Sequence, residues 1–167
     1  DGSTMPIWMV SGRVSILIRD LIDNYIKQEK IYQKIELSSI QQTLLLQNQT
    51  LDPLMIKEVL QQRQALMDDV AAINEEAKKI QEKMKRDYGL KSFTVSEIEG
   101  VVNNIDLLEL KQALENMSEV LKQISQNDLR NQTLMRQAAA ESHTGPSVSN
   151  QQATNAYRQS MDRKNSQ

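Results

Sequence analysis

The sequence predicts an all-α protein: an elongated antiparallel bundle of three long helices with a short extra helix and a disordered C-terminal tail. Three observations carry this. Helix breakers are scarce, with three Pro and five Gly in 167 residues, and 92 residues separate Pro53 from Pro146 without another proline. That spacing leaves room for long uninterrupted helices. Aromatic residues are only 4% of the chain, while Leu, Ile, Gln, Glu and Lys dominate, as in helices packed by aliphatic side chains. Finally, apolar residues recur at steps of three and four, which is helix period and not strand period.

Taken in order, Asp1 to Thr4 read as an expression scar before Met5, and residues 1–10 as a disordered N-terminus. Gly12 precedes a first helix from about Arg13 to Asn48. Its stripe is Val14, Leu17, Leu21, Tyr25, Tyr32 and Ile35, with Gln28 inside the seven-residue step. Ile18, Ile22, Ile26 and Ile31 widen that stripe, so more than one neighbouring helix is covered. Asp52-Pro53 is a start signal: the carboxylate accepts from orphan N–H groups, and Pro has none to lose at the first helical position. The second helix runs to about Tyr88 along Ile56, Val59 or Leu60, Arg63, Leu66 or Met67, Val70, Ile73, Ala77, Ile80 and Met84. Glu75 with Lys79 and Glu82 with Arg86 are expected i,i+4 pairs, and Gly89 is the expected left-handed cap.

Thr94-Val95-Ser96-Glu97 has the form of a capping box before a short helix. Asn103-Asn104 weakens it, and Asp106 to Glu109 offers a second start. The third long helix is expected from about Leu107 to Ala140, along Leu110, Leu114, Met117, Leu121, Ile124, Asn127 or Asp128, Asn131, Leu134 or Met135, and Ala138. Whether residues 94–106 stand apart or merge into it is open at this level. Residues 11–141 thus form the bundle, and 142–167 a polar tail with few apolar residues, unable to offset its ordering entropy alone. Short connections make sequential helices pack antiparallel. Each would be about 50 Å long at 1.5 Å per residue, leaving a third groove to be covered by a second copy, a client helix or the tail.

Composition also excludes function classes. Twenty Lys+Arg against 22 Asp+Glu give a net charge of −2, so no polybasic field for nucleic acid or an anionic membrane is expected. No Cys and one His argue against disulfides and metal sites. The longest aliphatic runs are three residues, Ile16 to Ile18 and Leu44 to Leu46, so no membrane insertion and no secretory signal are expected. His143 lies in the polar tail, away from any partner a general base needs. Asp68-Asp69 and Glu75-Glu76 diverge by about 100° on a helix. Glu115 and Glu119 share a face without a His at metal-ligand spacing. No phosphate loop or nucleophile elbow occurs. The expectation is a non-enzyme with no cofactor and no metal.

The candidate partner-binding residues lie late in the chain. Asn127 and Asn131 fall on the seam of the third long helix. They read either as a polar layer that sets register or as a groove turned polar for a partner. Leu129, Leu134 and Met135 with Ala138, Ala139 and Ala140 form an adaptable surface near the helix end, with ordinary internal packing as the alternative for Leu134. In a helix, Ala153, Ala156, Tyr157 and Met161 would share one side, a short amphipathic element awaiting a surface; a featureless tail is the alternative.

Several segments, in this order, resemble the FlgN family of flagellar export chaperones. Tyr32-x-x-Ile35 with Ile40 and Leu44 is similar to that family's first-helix pattern. The run Gln61 to Ile73 is similar to its second, Phe93 to Ile98 to its mid-chain capping segment, and Asn127-x-x-x-Asn131-x-x-Leu134 to its third-helix signature. The resemblance covers roughly residues 14–140. Gln64 and Lys78 depart from the acidic residue and Arg that the family often carries. The resemblance implies a cytoplasmic type III secretion chaperone. Its clients would be the hook–filament junction proteins FlgK and FlgL, held unassembled and delivered to the export-gate protein FlhA. The client would lie on Leu134, Met135, Ala138, Ala139, Tyr157 and Met161, with the tail folding as it binds. Such a chaperone would be a monomer or a homodimer; a FliT-type chaperone with a filament-cap client, a self-associating structural coiled coil and a membrane-peripheral helix protein are the competing expectations.

Overall fold

A computed structural model of the chain describes residues 7–48, 52–141 and 158, with the exposure of Gly12 and side chains from residue 14 onward. The described residues are all-α and include no strand. The elements are α1 (Ile7–Gln47), α2 (Pro53–Tyr88), α3 (Val95–Ile98) and α4 (Asn104–Ala140). Their contacts separate the chain into two units, one of Asp1–Lys30 with Val70–Ser118 and one of Ile31–Asp69 with Glu119–Gln167. The tail, with His143, Tyr157 and Met161, lies outside the described residues apart from Arg158, and so do the side chains of Ile7 and Trp8.

The helix ends follow from local chemistry. α1 runs through Gly12 instead of starting after it, because an exposed glycine with open space around it costs only about 1 kcal/mol in a helix. α2 begins as expected, with the Leu54 N–H donating to Asp52 Oδ1 at 3.0 Å. It ends at Gly89, whose φ is +66°, and the Leu90 N–H closes back on the Lys85 carbonyl at 3.0 Å. This is the hydrogen bond of a Schellman ending, and Leu90 packs on the core below. Gly89→Ala meets no clash but keeps the left-handed backbone, so we expect a loss of about 1–2 kcal/mol in urea unfolding. No loss would mean that the ending relaxes. The exposed pairs on α2 form at i,i+3, Lys78 to Glu75 and Lys85 to Glu82, and not at the expected i,i+4 spacing.

Thr94 caps α3, its hydroxyl accepting from the Glu97 N–H at 3.4 Å, and Ile98 is buried. α3 is therefore a separate short helix. α4 starts at Asn104, three residues earlier than expected, because Asn103 is its cap and not a weak point. Asn103 Oδ1 accepts from the Asp106 N–H at 2.8 Å, and Asn103 Nδ2 donates to the Asp106 carboxylate at 2.8 Å.

The first unit holds the larger apolar core. Val14, Ile18, Leu21, Ile22 and Tyr25 of α1 meet Ala77 and Met84 of α2, Ile98 and Val102, and Leu107, Leu110 and Ala113 of α4. Inside it, Asn24 Nδ2 donates to the Ile73 carbonyl at 2.8 Å and Gln28 Nε2 to Asn24 Oδ1 at 2.7 Å. Burial raises the Tyr25 phenol above its ordinary pKa, an effect partly offset by Gln81 Nε2 donating to its oxygen. The second unit has a smaller apolar cluster of Leu46, Ile56, Leu60 and Met135. It also holds seven of the ten buried polar residues among those described: Ser38, Ser39, Gln42, Thr43, Arg63, Asp128 and Asn131. That imbalance sets the chemistry of the second unit. Among the described residues no helix is long and apolar enough to cross a membrane.

Candidate partner-binding surface

In the second unit the polarity of α1 is inverted. A helix normally turns its aliphatic residues inward. Between residues 37 and 44, however, Ser38, Ser39, Gln42 and Thr43 face inward and are buried, while Leu37, Ile40 and Leu44 face outward. Leu37 and Leu44 are 66% and 64% exposed. Their steps of three and four residues put all three on one side, a stripe about 10 Å long at 1.5 Å per residue.

The inward polar residues explain the orientation. Arg63 of α2 forms a two-pronged ion pair with Asp128 of α4, Nη1 to Oδ1 at 2.6 Å and Nη2 to Oδ2 at 2.7 Å. Both side chains are almost fully removed from solvent. Gln42 Oε1 accepts from Arg63 Nη1 at 3.3 Å, and the other ends of this contact, Gln42 Nε2 and Arg63 Nε, are buried without a hydrogen-bond partner. Beside it, Asn131 Nδ2 donates to the Ser39 carbonyl at 2.9 Å, and the Thr43 hydroxyl donates to Asn131 Oδ1 at 2.6 Å. Asn127 Nδ2 donates to Ser39 Oγ at 3.0 Å, and that hydroxyl passes its own hydrogen to the Glu36 carbonyl at 2.6 Å. Turning α1 to bury its leucines would take Ser39, Gln42 and Thr43 away from these partners and leave the amides of Asn127 and Asn131 unpaired in the interior, which costs more than leaving three aliphatic side chains wet.

This arrangement redistributes the residues singled out from sequence. Asn131 is fully buried and both halves of its amide are used by α1; Asn127, half-buried, is held by Ser39. Met135 is buried in the apolar cluster and Leu134 packs against it. As folded, Asn131 and Met135 offer nothing to a partner. Ala138 and Ala139 are half-buried. Tyr157 and Met161 lie outside the described residues. Sequence reasoning passed over Leu37 altogether and treated Ile40 and Leu44 only as a pattern. The available signal was that 37, 40 and 44 fall off the line running through Ile35, Ser39, Gln42 and Leu46. Asp128, offered as an alternative to Asn127, is the one that faces Arg63.

The first unit carries a second surface feature, a shallow groove of about 540 Å³ lined by Ser15, Arg19 and the segment Asn103 to Asp106. Its polar groups are spent on one another. The Ser15 hydroxyl donates to Asp106 at 3.2 Å, and Arg19 forks onto Glu109 and approaches Asp106 at 3.5 Å. The hydrogen bond and charge of Glu109 hold the Arg19 proton more firmly than usual. Among the described residues no cluster of three or more His, Cys, Asp or Glu could hold a metal ion. No family model, curated protein or solved structure matches this chain.

Proposed function

We propose that the chain is a cytoplasmic flagellar export chaperone of the FlgN type. In this reading α1, α2 and α4 form the antiparallel bundle expected from the sequence. The protein binds an assembly-prone helix of FlgK or FlgL, prevents its premature polymerisation, and hands it to FlhA. The observation that supports the reading is the outward stripe of Leu37, Ile40 and Leu44. Burying a leucine is worth about 1.5–3 kcal/mol relative to leaving it exposed, and these three stand at the spacing with which one helix meets another. With Asn131 and Met135 occupied internally, we place the client helix on this stripe. Recognition of this kind uses apolar burial alone and involves no bond-making step.

The test is to mix the purified chain separately with FlgK, FlgL and the filament-cap protein and measure binding by calorimetry. A defined complex with FlgK or FlgL is expected. Leu37→Ser with Leu44→Ser should weaken it at least about tenfold, the equivalent of about 1.4 kcal/mol, without changing helicity. Binding of the cap protein alone would move the assignment to the FliT type. Melting that rises with protein concentration, with no client complex, would favour the self-associating coiled coil.

A further inference from the structure

We infer that, with no partner bound, the chain covers its own α1 stripe: residues 153–161 lie as a helix along Leu37, Ile40 and Leu44. This does not depend on the flagellar reading. It replaces the client contact expected of Tyr157 and Met161 from sequence with a contact inside the chain.

Four observations select this occupant. The first is the size of the stripe. Three side chains fall far short of the about 800 Å² per partner that a stable pair of proteins buries, so any free partner, a second copy or a client, needs further contacts beyond the stripe. A tethered segment needs much less, because a short linker holds it at an effective concentration in the millimolar range. The second is reach. α1 and α4 rise together in the second unit, with Asn127 and Asn131 beside Ser39 and Thr43. α4 ends at Ala140, nine residues past Asn131, or about 14 Å along the axis. Residues 142–152 span up to about 36 Å when extended, enough to turn back onto α1.

The third is length. Ala153, Ala156, Tyr157 and Met161 would extend about 12 Å on one side of a helix, against about 10 Å for the stripe. The fourth is charge. Residues 142–167 contain Arg158, Arg163 and Lys164 against Asp162 alone, a net charge of +2, so the remaining chain carries −4 of the −2 total. A tail running back along α1 brings Arg158, which is exposed, to the Leu37 end of the stripe. Glu36 stands there, half-buried and without a salt bridge among the described residues. Small alanines at one end and Tyr157 with Met161 at the other give the segment a low-relief apolar face, one that a partner helix with larger side chains can displace.

The chain has no cysteine, so Ser160→Cys gives one site for a nitroxide spin label in the full-length protein. With isotope-labelled Leu and Ile methyl groups, the signals of Leu37, Ile40 and Leu44 should lose most of their intensity. They should recover it when Tyr157→Ser and Met161→Ser are added to the labelled chain. An unchanged circular-dichroism spectrum is expected for the double-serine chain, which checks that its fold is kept. Signals that stay sharp, or that broaden equally with and without the two serines, would overturn the inference. Broadening seen only when spin-labelled and isotope-labelled chains are different molecules would also overturn it, in favour of a second copy.

Discussion

Asp128→Ala lowers the unfolding free energy by about 3–5 kcal/mol, the largest loss expected from a single substitution in this chain. The carboxylate is the only anion that meets Arg63 among the described salt bridges. With it gone, a guanidinium that is 2% exposed has neither water nor counter-charge, and Gln42 supplies one long hydrogen bond in return. Arg63→Met produces the mirror-image loss, a buried carboxylate without its cation. The double variant, Arg63→Met with Asp128→Leu, should recover most of the stability and can exceed the parent, because removing both charges removes both desolvation penalties. Urea unfolding of the four proteins makes a double-mutant cycle, and a coupling of several kcal/mol is expected. Single variants within about 1 kcal/mol of the parent would show that the pair is hydrated and that the second unit is not closed around it.

The second large effect is a contrast between two leucines of α1. Leu21 is fully buried in the first unit's core, where Leu21→Ala removes the transfer energy of the lost methyl groups and leaves a cavity, costing about 2–5 kcal/mol. Leu37, sixteen residues on, is 66% exposed and belongs to neither core, so Leu37→Ala should cost no more than about 1 kcal/mol, the loss of its contact with the tail included. The same substitution on the same helix thus separates the apolar inward face of the first unit from the inverted face of the second. Thermal unfolding of both variants decides it. Equal large losses would mean that α1 turns its leucines inward in the second unit and that the polar layer is displaced.

Much of the fold was legible along the chain. The Asp52-Pro53 start, the Gly89 ending and the Thr94 cap are local devices, each set by hydrogen-bonding groups within a few residues of one another, and the structure shows all three. The aliphatic stripe of the first unit was legible for the same reason: Ile18, Leu21 and Ile22 repeat with the helix period, and nothing nearby competes for the inward face. The second unit was harder to read because its inward face is polar. Hydrophobic periodicity finds a buried face only when that face is apolar, so Ser39, Gln42 and Thr43 were passed over. Arg63 and Asp128 lay on their helices' inward lines, but nothing in either helix alone says that the two meet. The start of α4 at Asn103 was misread because an asparagine is a poor interior residue and a good cap, and only its position relative to the Asp106 N–H distinguishes the two roles.

The sequence by itself determined the all-α class, the three long helices and most of their ends, because helix propensity, capping and punctuation act between residues a few positions apart. Tertiary structure decided which way α1 faces beyond residue 37. The amide and hydroxyl bonds from α1 to α4, with the contact of Gln42 to Arg63, hold Ser39, Gln42 and Thr43 inward at the cost of three exposed aliphatic side chains. That balance depends on which groups are brought together in a dry interior, and it leaves Leu37, Ile40 and Leu44 outside, ready for another helix.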